Sequence, residues 1–195
     1  NEKKWRYSVL TVSSILPKLE VKMGRNSYQI IFNQDMGVMR SLWSDAKYDA
    51  SEYGTKILQD ILGADYVAKN APNMYPKSIF TEQECIAAGL NENKKGIVLD
   101  YFAGSGTTGH SVINLNREDE GTRKYILVEM GNHFDTVAKL KIQKVIYSMD
   151  AAEQKGWKDG KPLSRIGSSH AFKYLRLESY EDALNNIVLN DSNYD

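Results

Sequence analysis

Residues 100–109 read Asp100-Tyr101-Phe102-Ala103-Gly104-Ser105-Gly106-Thr107-Thr108-Gly109. The glycines match the G-x-G-x-x-G pattern, in which the backbone turns tightly and lets a ligand approach closely. The apolar run Ile97-Val98-Leu99 before them is typical of a parallel strand that is covered on both faces. A helix is predicted to begin at Thr107, and its first N–H groups can bind a carboxylate or a phosphate. The stretch therefore predicts a nucleotide-like cofactor on a glycine loop.

A second strand and helix follow the loop. Residues 124–130 form another apolar run, and Glu129 near its end is placed to accept hydrogen bonds from both hydroxyls of a ribose. Asn132 can cap a long helix with one apolar stripe that runs from Phe134 to Met149. The order strand, helix, strand, helix is the βαβ pattern of an α/β fold.

The carboxylate of Asp100 bears on the choice of cofactor. The glycine pattern leaves two cofactors open, a dinucleotide and S-adenosylmethionine. A carboxylate just before the glycines would repel a pyrophosphate, whereas it would favour the ammonium and sulfonium groups of S-adenosylmethionine. Asp100 therefore favours S-adenosylmethionine. A purely structural role, in which Asp100 only caps the loop, stays open.

Hydrophobic periodicity predicts the elements elsewhere in the chain. The predicted elements are a helix over 8–20, a hairpin over 21–33 with its turn at Gly24-Arg25-Asn26, a helix over 55–62, a helix that starts with the capping box Thr81-Glu82-Gln83-Glu84 and ends near Leu90, a strand over 172–177 and a helix over 179–189. Polar composition predicts a loop at 45–54 and a linker at 153–167.

Composition excludes several classes of function. The 25 basic residues equal the 25 acidic ones, so no global positive field draws the 195-residue chain to nucleic acid. A single cysteine, Cys85, excludes an intramolecular disulfide and fits a reducing compartment, so we expect a cytoplasmic location. No apolar run approaches the roughly 20 residues that span a bilayer.

Histidine and lysine residues near the loop are interpreted as structural. His110 is expected to be a helix-surface histidine and not a catalytic base, because no nucleophile or carboxylate partner is evident. His133 and His170 lack ligand spacing, so no metal site is predicted. Lys139, Lys141 and Lys144 are expected to form a solvated helix face rather than a DNA-binding track.

Several stretches resemble a known family of enzymes. Residues 100–108 resemble the D-x-F-x-G-S-G-T-T cofactor motif of DNA amino-methyltransferases, and residues 122–130 are similar to their second motif. Met74-Tyr75-Pro76-Lys77-Ser78 resembles the Y-P-K-P segment that precedes the glycine loop in the circularly permuted β group, with Ser78 in place of the second proline. Residues 40–45, 52–55, 109–112 and 172–184 resemble the modification subunit of type III restriction–modification systems.

The resemblance implies a fold, a reaction and partners. The implied fold is α/β, namely the cofactor-binding half of a Rossmann-like class I S-adenosylmethionine-dependent methyltransferase. The implied parent enzyme transfers a methyl group to N6 of adenine in duplex DNA, with cytosine N4 left open, and works with a restriction subunit and a second modification subunit. The implied cofactor-binding residues are Pro76, Lys77, Ser78, Asp100, Phe102, Ala103, Gly104, Ser105, Gly106, Thr107, Thr108 and Glu129.

The family's catalytic tetrapeptide, Asp-Pro-Pro-Tyr, is missing from this sequence, whose prolines are Pro17, Pro72, Pro76 and Pro162. In the β group this tetrapeptide and the recognition region precede the Y-P-K segment. We therefore expect a C-terminal portion that is inactive alone, with the strand at 97–100 left at a sheet edge. Its expected divisions are 1–45 (helix and hairpin, the end of the recognition region), 46–150 (cofactor-binding core) and 151–195 (strand and helix).

Two rival interpretations remain. The first is an NAD(P)-binding oxidoreductase domain, which the literal glycine pattern permits. The second is a non-catalytic module that serves only in assembly.

Overall fold

The N-terminal part of the chain contains a hairpin. The computed structural model describes residues 13, 16–23, 27–32, 41–91, 93–148, 156–164 and 166–187, and the chain divides into two units, residues 1–44 and 45–195. In the first unit, β1 (Leu19–Met23) pairs antiparallel with β2 (Tyr28–Phe32), which confirms the predicted hairpin. The predicted turn residues lie outside the described residues.

The helix predicted over 8–20 falls mostly outside the described residues. Its end is wrong, because Leu16–Lys18 form a 3-10 turn and the next two residues already belong to β1. Pro17 accounts for this, since its ring and its missing N–H do not suit a helix interior.

Helices precede the glycine loop in the second unit. A π-helical segment (Ser51–Lys56) continues into α1 (Ile57–Leu62), and Gly63 separates α1 from α2 (Ala64–Asn70). The helix predicted over 55–62 is confirmed in part. The loop predicted over 45–54 is wrong, because it contains a 3-10 turn (Ala46–Tyr48) and most of the π-helical segment.

The next helix begins earlier than predicted. α3 runs over Ile79–Leu90, and its cap is Ser78, whose Oγ accepts a hydrogen bond from the backbone N–H of Phe80 at 3.2 Å. The predicted capping box at 81–84 is therefore wrong and lies inside the helix. Serine is as good an N-cap as threonine, and the extended backbone after Pro76 brings Ser78 to the capping position first.

A parallel strand pair forms the centre of the second unit. β3 (Ile97–Asp100) pairs with β4 (Lys124–Leu127), with Asp100 opposite Leu127, and α4 (Thr107–Asp119) connects them. This confirms the predicted βαβ unit. After β4, a π-helical segment (Phe134–Ala138) continues into α5 (Lys139–Tyr147). The predicted cap at Asn132 is wrong, because the helical segment begins one residue later, after His133, without a side-chain cap.

The strand pair is covered on one face. Ile97 is 61%, Leu99 53% and Ile126 51% exposed, while the alternate residues of both strands are half-buried. The expectation that β3 is covered on both faces is therefore wrong, because alternate residues of a strand point to opposite faces and one face has no layer over it among the described residues. In that part of the chain the sheet has two strands, so β3 lies at an edge, as expected.

The hydrophobic core lies on the covered side, where α1, α4 and α5 pack together. Its buried members are Leu58, Ile61, Leu62, Val67, Ala71, Ile113, Val137, Ile142, Val145 and Trp157. Removing such side chains from water is the main force that holds these helices in place. None of the helices among the described residues is long and apolar enough to cross a membrane.

The C-terminal part of the chain corrects two predictions. The linker predicted over 153–167 contains a short hairpin of β5 (Trp157–Lys158) and β6 (Lys161–Pro162). The indole N–H of Trp157 bonds to the carbonyls of Lys144 and Ser148, which anchors this hairpin to α5. The strand predicted over 172–177 is wrong: this segment is exposed and pairs with no strand among the described residues. The final predicted helix is confirmed as the shorter α6 (Tyr180–Asn185).

Candidate functional site at the glycine loop

A cleft of about 800 Å³ opens at the carboxyl end of β3. This volume lies within the usual range of small-molecule sites, roughly 300–1,000 Å³. Residues 70–77 form one part of its wall, and the end of β3 with the glycine loop forms another. The sequence-predicted residues that line the cleft are Pro76, Lys77, Asp100, Phe102, Ala103, Gly104, Ser105, Thr107 and Thr108. Ser78, Gly106 and Glu129 do not line it.

The backbone of the glycine loop is left-handed where the sequence places glycine. Gly104 has φ +52° and Gly106 has φ +74°, a region that residues with a Cβ rarely adopt. A Cβ on Gly106 would also lie 3.5 Å from Ala138, so the loop packs directly on the π-helical segment. The Gly106 N–H bonds to the carbonyl of Ala103 at 2.7 Å, and the Ala103 N–H bonds to the carbonyl of Val128, one residue after β4. The loop is therefore a tight turn that is fixed to the sheet.

Asp100 belongs both to the loop and to the cleft. Its Oδ1 accepts a hydrogen bond from the Phe102 N–H at 3.0 Å, and its Oδ2 accepts one from the Thr108 hydroxyl at 2.6 Å. The structural role predicted for Asp100, a cap of the loop, is confirmed, and the same residue also lines the cleft. A carboxylate has about four acceptor positions, so these two bonds leave capacity for a ligand.

Glu129 lies behind the loop and holds it. Its Oε2 accepts from the Gly104 N–H and its Oε1 from the Gly131 N–H, each at 2.9 Å, and His133 Nε2 is 3.2 Å from Oε2. Burial alone would raise the pKa of Glu129. The hydrogen bonds from Gly131, Gly104 and His133 outweigh burial, so this pKa lies below its usual value. Glu129 is therefore an anion with acceptor capacity left on Oε1.

Ser78 has a structural position beside the cleft. Its side chain is 1% exposed, and its hydroxyl donates to the carbonyl of Lys47 at 2.7 Å while it caps α3. Gly54 contacts the carbonyls of Pro76 and Lys77 so closely that no side chain would fit between them. These contacts hold the cleft wall formed by Pro76 and Lys77 in place.

Two aromatic rings stand at the cleft, exposed to solvent. Phe102 and Tyr75 are each 83% exposed, although both line the cleft. Neither ring contributes to the hydrophobic core. Both faces of an aromatic ring in such a position can stack on a planar ligand such as a nucleobase.

Glu82 adds a second carboxylate to the cleft, which the sequence prediction placed in a capping box. Its pKa is raised, first by burial and then by the nearby charge of Asp100, whereas Lys77 and Lys141 act in the opposite direction. His133 and Tyr75 also line the cleft, and neither is among the predicted site residues. His133 lies directly before the helical segment that begins at Phe134, and its Nε2 is 3.2 Å from Glu129 Oε2.

Two predictions about the residues behind the loop are wrong. His110 is 1% exposed, not at the helix surface, and burial together with the charges of Lys141 and Arg117 lowers its pKa well below its usual value. Lys141 is also 1% exposed, not solvated. Burial lowers its pKa to about 7, an effect that the charge of Glu82 partly opposes.

The other two lysines of α5 are not fully solvated either. Lys139 pairs with Asp135, and Lys144 donates to the carbonyls of Ile61 and Gly160. The ammonium of Lys144 also lies 4.5 Å from the ring centre of Trp157. The predicted solvated face is thus engaged in contacts with the rest of the unit.

Comparison with known proteins gives a family match. A family model described as DNA methylase matches residues 10–140. The chain is 36% identical, over 46% of its length, to the Mod subunit of the type III restriction–modification enzyme StyLTI of Salmonella typhimurium. It is 30% identical, over 57% of its length, to the Mod subunit of the type III enzyme EcoPI of Escherichia phage P1, and 36% identical, over 49%, to the type II methyltransferase M.KpnI of Klebsiella pneumoniae. The matched stretches are 13%, 16% and 20% of these three relatives, respectively.

Proposed function

Since the chain belongs to the DNA methylase family, we propose that its cleft holds S-adenosylmethionine, the methyl donor for transfer to N6 of adenine in DNA. The observation that carries the proposal is the cleft itself. It combines a left-handed glycine loop, the N-terminus of α4 and two carboxylates, Asp100 and Glu82. Each of these features suits one part of the cofactor.

The adenosine part of S-adenosylmethionine would lie near Glu129 and the two aromatic rings. Glu129 does not itself line the cleft, but its carboxylate bonds to Gly104 and lies 3.2 Å from His133, which both line it, and its Oε1 has acceptor capacity for a ribose hydroxyl. Phe102 and Tyr75 offer exposed rings to an adenine. In this proposal Glu129 fixes the ribose and the loop together, because the same carboxylate holds Gly104.

The amino-acid part of S-adenosylmethionine would lie near Asp100. Two carboxylates in one cleft favour the ammonium and sulfonium groups and disfavour the pyrophosphate of NAD(P), since like charges at close range in a partly buried site are costly. The raised pKa of Glu82 reflects its burial and this crowding of negative charge. The glycine pattern permits a dinucleotide, but the two carboxylates of the cleft favour S-adenosylmethionine over it.

The proposed fold, divisions and partners rest on the similarity to known proteins. The βαβ unit would be the cofactor-binding half of a Rossmann-like methyltransferase, with the divisions 1–45, 46–150 and 151–195. The similarity to Mod subunits of type III enzymes supports duplex DNA, a restriction subunit and a second modification subunit as partners. Because this sequence lacks Asp-Pro-Pro-Tyr, the chain would bind the methyl donor without transferring the methyl group by itself.

Calorimetry tests the proposal. The 195-residue chain is titrated with S-adenosylhomocysteine and, separately, with NAD; we expect heat of binding with the first ligand alone. Asp100→Asn should weaken binding about tenfold, as expected for the loss of one charged hydrogen bond. Asp65→Asn, at an exposed carboxylate on α2, is the matched control and should bind like the parent chain. Binding of NAD in place of S-adenosylhomocysteine would support the oxidoreductase reading, and binding of neither would support the assembly module.

A further inference from the structure

A buried lysine lies directly behind the glycine loop. Lys141 is 1% exposed, and its Nζ donates to the hydroxyl of Thr107 at 3.2 Å. None of the ion pairs between described residues includes it. A buried charge without a counter-ion is costly, and a methionine would fill the same space without that cost. Lys141 therefore needs an explanation beyond packing.

Lys141 contacts a pair of hydroxyls that belong to two residues of the cleft lining. Thr107 Oγ1 lies 3.0 Å from Ser105 Oγ, and either oxygen can be the donor on geometry alone. Thr107 and Ser105 line the cleft, whereas Lys141 does not. The three polar groups thus form a chain that begins in the core and ends at the proposed cofactor site.

The charge of Lys141 gives this chain a direction. An ammonium only donates hydrogen bonds, so Thr107 must use a lone pair to accept from it. The hydroxyl hydrogen of Thr107 is then favoured to point away from the positive charge, toward Ser105 Oγ. Ser105 accepts this bond and keeps its own hydrogen for an acceptor in the cleft.

We propose that Lys141 is a positioning residue that orients the hydroxyls of Thr107 and Ser105, so that Ser105 donates a hydrogen bond to a carboxylate held on the glycine loop. The proposal rests on the proposed function, because the carboxylate is that of the amino-acid part of S-adenosylmethionine or its product. Lys141 does not touch the ligand; it acts through the two hydroxyls.

The same arrangement predicts a dependence on pH. Glu82 of α3 and His110 of α4 are the titratable groups that face Lys141 from the neighbouring helices, and Asp100 and Lys77 in turn act on Glu82. His110 stays neutral because burial lowers its pKa. Lys141, with a pKa lowered to about 7, loses its proton as the pH rises through neutrality. A neutral amine can accept a hydrogen bond, so the direction of the chain is then no longer fixed.

Two ligands and four variants test the proposal in the 195-residue chain. The ligands are S-adenosylhomocysteine and decarboxylated S-adenosylhomocysteine, which keeps the nucleoside and the amine but lacks the carboxylate. Lys141→Met removes the charge, and Thr107→Val removes the connecting hydroxyl. Thr107→Ser keeps that hydroxyl. Lys139→Met is the control, because it removes an amine from the same helix without affecting the chain of hydroxyls.

We expect Lys141→Met and Thr107→Val to weaken binding of S-adenosylhomocysteine about tenfold, the usual effect of one hydrogen bond to a charged group. Binding of the decarboxylated ligand should change less than about twofold, since the affected hydrogen bond is absent from it. Lys139→Met should bind both ligands as the parent chain does. Thr107→Ser should bind S-adenosylhomocysteine more tightly than Thr107→Val does, because it keeps the connecting hydroxyl. From about pH 6 to about pH 8.5, affinity for S-adenosylhomocysteine should fall in the parent chain and stay level in Lys141→Met.

The outcomes separate this inference from the proposed function. Failure of the parent chain to bind S-adenosylhomocysteine overturns the proposed function, and the positioning role of Lys141 with it. If the parent chain binds but Lys141→Met loses both ligands equally, or loses neither, Lys141 is only structural and the proposed function stands. The same holds if the parent chain and Lys141→Met share one pH profile.

Discussion

Replacing Lys141 with methionine should stabilise the fold at acidic pH and should remove a pH dependence from it. Lys141 is the largest of the fully buried side chains among the described residues. Its pKa falls from 10.5 in the unfolded chain to about 7 in the fold, chiefly because burial disfavours the charged form. Between these two values the unfolded chain binds one proton more than the folded chain. Stability therefore rises as the pH rises through this window, and the cost of the buried charge is fully present below it.

The size of the effect follows from the shift. A fall of roughly 3.5 pKa units corresponds to about 5 kcal/mol of folding free energy. Lys141→Met avoids that cost at low pH but loses the hydrogen bond to Thr107, which contributes about 1 kcal/mol. The variant should thus be more stable than the parent chain by about 4 kcal/mol near pH 6. Near pH 10.5, where the buried amine is neutral, the parent chain should be the more stable by about 1 kcal/mol.

Urea denaturation at a series of pH values measures this difference. Lys139→Met is the matched control, because Lys139 lies on the same helix but pairs at the surface with Asp135, and surface pairs contribute about 0–1 kcal/mol. Groups distant from Lys141 titrate alike in the parent chain and the variant, so the difference between the two proteins is interpreted. Glu82 and His110, whose pKa values respond to the charge of Lys141, contribute to that difference as well. A difference that stays constant across the pH series would refute the argument, because it would mean that Lys141 keeps its ordinary pKa in the fold.

Three further substitutions have defined outcomes. Gly106→Ala should lower stability by about 1–2 kcal/mol in thermal denaturation, because a Cβ is strained at this left-handed position; an unchanged midpoint would contradict the reading of the loop. Glu129→Gln should lower the free energy of unfolding by about 1–3 kcal/mol, since an amide has one acceptor oxygen for the N–H groups of Gly104 and Gly131. As the pH falls through the pKa of Glu129, this variant should lose less stability than the parent chain. Arg123 donates to both carboxylate oxygens of Asp119, at 2.9 and 2.7 Å. Arg123→Lys should lower the free energy of unfolding by about 1 kcal/mol in urea, because one ammonium cannot replace this two-point contact. Asp119→Asn should cost less in the Arg123→Lys variant than in the parent chain.

The glycine loop could be predicted because its determinants are local in sequence. Positive φ values favour glycine, and a strand before the glycines with a helix after them leaves few other backbone paths. The same reasoning placed Asp100 at the start of the loop, where it bonds to Phe102 and Thr108. Resemblance alone implies Ser78 as a cofactor residue, whereas its hydrogen bonds give it the role of a helix cap.

The burial of Lys141 was also within reach of the sequence. The residue lies three positions after Ala138 and four before Val145, and both of these are buried. Helical periodicity therefore places it on the apolar stripe. Residue type predicts the opposite, a solvated Lys141, because lysine is almost never fully buried without a partner. Where periodicity and residue type disagree, the conflict itself marks a residue with a special role.

His110 illustrates a different limit. Residues 107–114 of α4 are all buried, so the first two turns of the helix are enclosed on every side and no amphipathic pattern exists to be read. Gly109 allows this enclosure: a Cβ there would lie 2.9 Å from Ile142 and 3.0 Å from Leu127. A single sequence contains no signal for how closely a helix will be approached by elements that are distant in the chain.

The polarity of this enclosed helix follows from its position at the loop. A core helix made of alanine and valine would pack as well, but it could not fix the backbone ahead of it in one arrangement. Thr108 bonds to Asp100, Ser111 bonds to the carbonyl of Ile79 on α3, and Thr107 accepts from Lys141. Each of these bonds offsets the cost of burying its hydroxyl, and each ties the start of α4 to a different element. A loop that must present its N–H groups and one hydroxyl to a ligand in a fixed geometry requires this kind of support from behind. In the proposed function, Lys141 would thus support the cofactor site from behind, although it does not itself line the cleft.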